Sequence, residues 1–234
     1  MSDIALNLVV LVVLVVLGGS IYLISRRYVK KKPVINAEIA QQNGWQMSLI
    51  KQAHTHGFEL TGEQAGIEWQ LTSSCETGRA ADYTGSDFQD NCQTRWFSEA
   101  GKIRTGVWVL GPWVGQLPAG VDFSSFGSGL LQKALQLMVG EDAKHFPTMH
   151  FLPLPAEFEG RFQAVGHDAG KFAGLFDTQL TEQLLAWPKK YELVIKATTN
   201  GTELRVDKCQ IQDPNLLKQL AELGIAFTER LQKA

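Results

Sequence analysis

From Ile4 to Ile24 the chain is apolar almost without interruption: IALNLVVLVVLVVLGGSIYLI, with Asn7 and Ser20 as its clearly polar side chains. As a helix this stretch is about 30 Å long, the thickness of a bilayer's hydrocarbon core. A helix bonds its own backbone groups, so a Val-rich composition is no obstacle in lipid. The pattern predicts a transmembrane helix over residues 4–24, with the lipid bilayer as its partner. Past Lys32 the apolar residues no longer run together. They alternate or recur at helical spacing, as in a globular α+β domain.

Asn36 to Gln42 suits a short connector helix that Asn43-Gly44 ends. Trp45 to His56 fits a strand through Trp45, Met47 and Leu49 and a helix through Leu49, Ile50 and Ala53, and the pattern leaves both open. Phe58 and Leu60, a turn at Gly62–Gly66, then Ile67, Trp69 and Leu71 predict a β-hairpin with one apolar face. Ser73 to Asn91 is polar and reads as a long loop. Thr94–Glu99 and Ile103–Leu110 follow as strands joined near Ala100-Gly101. They complete an expected four-stranded antiparallel meander packed on Trp69, Trp96 and Trp108.

Gly111 to Gly120 is a Gly- and Pro-rich loop that still carries Trp113, Val114 and Leu117, suited to folding onto the core or touching the bilayer interface. Ser128–Val139 predicts a helix, capped by Ser128 and ended by Gly140. A second lobe follows with a strand at Glu157–Val165. Next comes a helix over Asp168–Trp187, broken near Gly174 and restarted at Asp177. Strands at Tyr191–Thr198 and Thr202–Cys209 flank Asn200-Gly201, a strong hairpin signal. Asp213-Pro214 opens a last helix with Leu216, Leu220, Leu223, Phe227 and Leu231 on its buried stripe. The expected organisation is a short N-terminus at 1–3, the membrane helix at 4–24, a basic connector at 25–43, a β-rich lobe with a helix at 44–140, and a β-α-β-β-α lobe at 141–234. The pattern does not decide whether the lobes share one sheet.

Charge sets the expected side of the membrane. Arg26, Arg27, Lys30, Lys31 and Lys32 follow the apolar stretch, while Asp3 alone is charged before it. Basic flanks face the cytoplasm, so the body is expected there, with the N-terminus outside. An acidic start and a long apolar run also argue against a cleaved signal peptide. Of 22 basic and 24 acidic residues, those five and that one lie in the first 32. The body is therefore acidic by six charges and is not expected to bind nucleic acid.

Candidate chemistry is thin. His54 and His56 would share a strand face and could ligate one metal, with His145, His150, Asp82, Asp87 and Asp90 elsewhere in the chain, but they bring no full ligand set. His167-Asp168 could be a proton-transfer pair, although an Asp capping the next helix explains it more simply. Cys75 could pair with a distant His as a nucleophile, a reading without local support. In a cytoplasmic domain Cys75, Cys92 and Cys209 are expected as free thiols; in an oxidising compartment Cys75 and Cys92 could close a loop. The acids Glu76, Asp82, Asp87 and Asp90 miss the spacing of a calcium loop. Phosphate-binding glycine motifs are absent, and Gly127-Ser128-Gly129 is a slender anion site. Asn200-Gly201-Thr202 matches a glycosylation sequon that has no meaning in a cytoplasmic turn. No catalytic residue, cofactor or metal is expected. The chain reads as a non-catalytic, membrane-anchored accessory subunit that binds another membrane or membrane-associated protein. The alternative is a membrane-bound hydrolase or metal enzyme built on His54 and His56.

Overall fold

The computed structural model describes residues 40–76, 92–112, 150–167 and 172–233. The expected membrane helix at 4–24, the helix at 128–139 and residues 113–120 of the expected loop at Gly111–Gly120 lie outside the described residues; Gly111 and Pro112, expected in that loop, are strand. Among the described residues no helix is long and apolar enough to cross a membrane. Residues 40–42 are helical and Asn43-Gly44 form a turn. The chain divides after Gly44, and Trp45 onward forms a separate compact unit.

That unit is built on one antiparallel sheet. Its strands are β1 (Gln46–Lys51), β2 (Thr55–Gln64), β3 (Ile67–Glu76), β4 (Cys92–Ser98), β5 (Val107–Pro112), β6 (His150–Phe151), β7 (Phe162–Gly166), β8 (Leu193–Thr198) and β9 (Gly201–Asp207). Their spatial order is β1-β2-β3-β4-β9-β8-β5-β7-β6. Among the described residues the longer helices of this unit are α1 (Thr178–Ala186), between β7 and β8, and α2 (Pro214–Lys233), after β9. The mixed α+β class with a C-terminal helix is as the pattern implies, and the two expected lobes share the sheet.

Alternation places a row of apolar residues on one face. In register across the middle strands lie Leu60, Leu71, Trp96, Leu204, Ile195, Leu110 and Ala164, all of them buried. The opposite face of β1–β4 and β9 carries Gln46, Ser48, Glu68, Gln70, Gln93 and Arg95, which are exposed. In this part of the sheet one packed face and one wet face resolve the period-2 patterning, whereas β5 and β7 are buried on both faces.

The hairpins form where turn chemistry allows. Ala65 and Gly66 both have positive φ, 55° and 73°, the two-residue turn whose twist matches the flanking strands. The β1–β2 hairpin, left open by the sequence, closes through Gln52 N–H to Thr55 O at 3.0 Å, with His54 in the turn. The expected β8–β9 hairpin forms, with Thr199-Asn200 as its turn and Gly201 as the first residue of β9.

Two expected strand assignments are corrected. The four-stranded meander stops at β4, because β9 and then β8 lie between β4 and β5. The chain from Ser98 to Val107 is a crossing rather than a hairpin. It passes over the β8–β9 turn, where Gly101 O accepts from Thr202 Oγ1 at 3.3 Å and Ile103 N–H donates to Thr198 O at 3.1 Å. The expected strand Glu157–Val165 is a 3₁₀ turn at Ala156–Phe158 followed by β7. That break lets both Phe158 and Phe162 enter one aromatic cluster, 5.4 Å apart, with Phe176 and Phe172 continuing the chain of contacts to Trp108.

The last helix is legible residue by residue. Asp213 Oδ1 accepts from Asn215 N–H at 2.9 Å, Pro214 starts the first turn, and Leu216, Leu220, Leu223, Phe227 and Leu231 are buried. Each such side chain contributes about 1.5–3 kcal/mol on burial. The helix packs on β3, β4 and β9 and against α1. Its approach is set by Gly224: a Cβ there would stand 2.5 Å from the Trp96 ring.

Both ends of α1 are held from outside. Asp177 caps it, accepting from Leu180 N–H at 2.8 Å, and binds Arg230 of α2 through both carboxylate oxygens, each at 2.9 Å. At the other end the Arg161 guanidinium donates to the carbonyls of Leu185 and Trp187, where the helix dipole favours a cation. Burial lowers the Arg161 pKa, and an arginine keeps its charge regardless.

Two outcomes follow from this packing. Gly→Ala inside a helix ordinarily stabilises by about 1 kcal/mol. Gly224→Ala is expected to destabilise instead, by about 1–3 kcal/mol, because the methyl overpacks against Trp96, and thermal unfolding reads the sign. The Arg230 hydrogen bond first, and the Leu180 N–H second, hold the Asp177 carboxyl below its usual pKa. The stability it contributes is present above the unfolded value of about 3.9 and is lost as pH falls through the lower folded value. Asp177→Asn should flatten that acid-side loss in denaturant titrations between pH 2 and pH 5, roughly the window those values span.

Candidate functional site

The expected site residues do not converge. His54 sits in the β1–β2 turn and His56 on β2, both exposed. The face-sharing pair assumed for a strand is therefore not formed, because the strand begins at Thr55. Among the described residues no group of three His, Cys, Asp or Glu is placed to hold a metal ion. Asp82, Asp87, Asp90, His145, Asp168 and Gly127–Gly129 lie outside the described residues. His167 Nδ1 accepts from Val107 N–H at 3.4 Å.

The free-thiol expectation for Cys75 and Cys92 is corrected, and with it the reading of Cys75 as a nucleophile. The two cysteines face each other across β3 and β4 and form a disulfide. The polar stretch from Ser73 does not begin as a loop either. Ser73 to Glu76 continue β3, and the register carries Cys75 into line with Cys92. Cys209 remains a thiol. Burial raises its pKa, and the nearby Lys190 charge opposes that. The net direction is toward the protonated thiol, a poor nucleophile.

What the structure assembles beside the disulfide is a strap. After β9 the chain turns at Lys208, whose φ is 57°, and residues 209–212 run back over β4, β3 and β2. Thr94 Oγ1 donates to Cys209 O at 3.0 Å and accepts from Ile211 N–H at 2.9 Å. Ser73 Oγ donates to Ile211 O at 2.8 Å and lies 3.0 Å from Thr94 Oγ1. Gln210 Nε2 reaches Ser73 O at 3.4 Å and His56 O at 3.5 Å. Ser73 and Thr94 are fully buried, so these bonds answer polar groups that would otherwise be costly.

Sequence reasoning missed this cluster. The available signal was Ser73 and Thr94 standing in phase with Leu71 and Trp96, a polar position on an otherwise apolar face. The arrangement holds the strap to the sheet and keeps Cys209 half-buried. The hydroxyls are occupied by the fold, and no proton acceptor is placed to activate either of them in the bonds described.

On the wet face, β4 and β9 carry a second grouping. Arg95 donates to Glu203 at 2.9 Å and lies 5.1 Å over the Phe97 ring; Arg205 pairs with Asp207 at 2.9 Å. An aromatic ring under an arginine on a half-exposed surface is the composition enriched at protein interfaces.

Thr94→Val is expected to strand the Cys209 carbonyl and the Ile211 N–H, at a cost of about 2–4 kcal/mol from the two orphaned groups. Denaturant unfolding measures the loss. Hydrogen exchange at Ile211 should accelerate well before global unfolding, because the strap is the part released.

No known family model matches this chain, and no curated protein matches it. Among solved structures it is similar to the crystal structure of the mycobacterial trehalose monomycolate transport factor A, TtfA, with 9% sequence identity and a TM-score of 0.48, over 84% of this chain and 92% of that one.

Proposed function

We propose that this is a single-pass membrane protein, anchored through residues 4–24, whose folded unit is a non-catalytic accessory subunit that binds another membrane or membrane-associated protein. The observation that carries the reading is the wet face of the sheet. Its β4–β9 part presents Phe97, Arg95, Glu203 and Arg205 in a fixed cross-strand array. A sheet holds such residues with little conformational freedom, so a partner meets a surface already ordered. The tether raises the local concentration of this surface near membrane partners. The basic residues 26–32 favour a cytoplasmic body.

A second reading of the location is favoured by the Cys75–Cys92 pair, since disulfides persist in oxidising compartments and are rare in the cytosol. It reverses the side of the membrane and leaves the binding role unchanged.

Affinity purification from native membranes in mild detergent tests the proposal. The expected result is a stoichiometric partner that is lost from an Arg95→Glu/Phe97→Ser variant whose circular dichroism is unchanged. A stoichiometric metal, lost in His54→Ala/His56→Ala, would instead establish the metal-enzyme alternative. Acid-trapped thiol labelling of intact cells separates the two locations: three free thiols for a cytoplasmic body, one for a body in an oxidising compartment.

A further inference from the structure

The two ends of the sheet are unlike. Among the described residues β6, at one end, is two residues long and is followed by Pro153 and Pro155, a blunted edge of the kind that resists further pairing. At the other end β1 runs for six residues, QMSLIK, with no proline and a single charge.

The register settles which backbone groups of β1 point outward. Gln52 N–H donates to Thr55 O, so that pair is hydrogen-bonded. Stepping by two along the hairpin, Ile50 with Gly57, Ser48 with Glu59 and Gln46 with Thr61 are hydrogen-bonded pairs as well. The N–H and C=O groups of Met47, Leu49 and Lys51 therefore face away from β2, and β1 has no other strand neighbour among the described residues.

The side chains agree with the backbone. Met47 stands opposite buried Leu60 and Leu49 opposite buried Phe58. The apolar row of the packed face thus runs out to the edge and ends at Leu49. Leu49 is 49% exposed, the one exposed large hydrophobic residue among those described.

We propose that β1 is a self-association edge, and that its partner is β1 of a second copy of this chain, paired antiparallel about a two-fold axis at Leu49. In that register Leu49 meets Leu49 of the partner subunit and Met47 meets the partner subunit's Lys51, while Ser48 meets the partner's Ile50. The outward groups of Met47, Leu49 and Lys51 then form the hydrogen-bonded pairs of the new ladder. The apolar row continues unbroken from one copy to the other. The two lysines stand four residues apart along the strands, about 13 Å, so their repulsion is screened. Centring the axis on Lys51 would set the two like charges face to face, which disfavours that register. A single strand pair is weak by itself, so the dimer is expected to depend on concentration. The inference rests on the folded unit and is independent of the partner proposed for the wet face.

Site-directed cross-linking of the full chain in detergent micelles tests it, in a Cys209→Ser background. Residues directly opposed in a hydrogen-bonded antiparallel pair have Cα atoms about 5.5 Å apart, within the span of a disulfide. Leu49→Cys is therefore expected to give a covalent dimer under mild oxidation at least tenfold faster than Ser48→Cys, whose counterpart across the edge is Ile50. Light scattering of the parent protein should show a mass that rises with concentration, and Leu49→Lys should remain monomeric with unchanged circular dichroism. Equal cross-linking rates at positions 48 and 49 would overturn the proposal, since they report random collision. So would a co-purifying protein that shields Leu49→Cys from alkylation, which would make the edge a site for a different chain.

Discussion

Trp96 is the contact on which the unit depends. It sits on β4, near the middle of the sheet, and is fully buried. An indole in that position can be covered by a helix only if the helix backbone comes close, and Gly224 is where α2 does so. The rest of α2 follows from this seat. With Gly224 over Trp96, the helix packs on β3 and β9 as well as β4. The helix then ends with Arg230 beside Asp177, so the cap of α1 is positioned by the contact that anchors α2. Packing of one ring thus links the centre of the sheet to both helices, and interiors at close-packed density transmit such constraints with little slack.

Local chemistry was readable to different depths. The hairpin at Ala65-Gly66, the hairpin between β8 and β9 and the stripe of the last helix were legible because their signals are short-range: turn residues, a cap, a 3.6-residue period. The insertion of β8 and β9 between β4 and β5 was not, because strand order is a matter of which distant edges meet. Thr202, whose hydroxyl binds Gly101 O across 101 residues of sequence, is the residue that ties the crossing to the hairpin, and nothing in its immediate sequence marks it. Likewise the alternation around Phe158 and Phe162 imitates a strand. Aromatic residues spaced by four satisfy a turn-and-strand combination as well as a straight run.

The site was less legible than the fold, for a physical reason. Polar residues such as Ser73 and Thr94 read as loop or surface, because burying an unpaired hydroxyl is costly. Here the cost is offset by backbone partners that arrive from residues 209–212, far along the chain. The same blind spot left the Cys75–Cys92 pairing as an alternative tied to the compartment rather than to strand register. Cys75 lay inside a stretch that looked like loop, so its register with Cys92 was invisible until Ser73–Glu76 were seen to be strand. The strap explains why they are strand: it supplies the bonds that let polar side chains lie on the packed face.

These features divide the sheet into regions with different consequences. The packed face is committed to α2, to the aromatic cluster around Phe172 and to the strap. The wet face is polar, and its β4–β9 part carries the cross-strand pair Arg95–Glu203 and the pair Arg205–Asp207 within β9. That arrangement suits reversible recognition, since paired surface charges guide orientation while adding little to affinity. The β1 edge is neither committed nor balanced. Its backbone groups are unanswered by another strand among the described residues, and its apolar row stops at a half-exposed leucine. An edge with those two properties gains from pairing in a way that the wet face does not, because the ladder bonds and the apolar contact are satisfied in one step. Association through the edge would leave the Arg95–Phe97 array open, so a unit built this way can engage a second copy and a different protein at the same time.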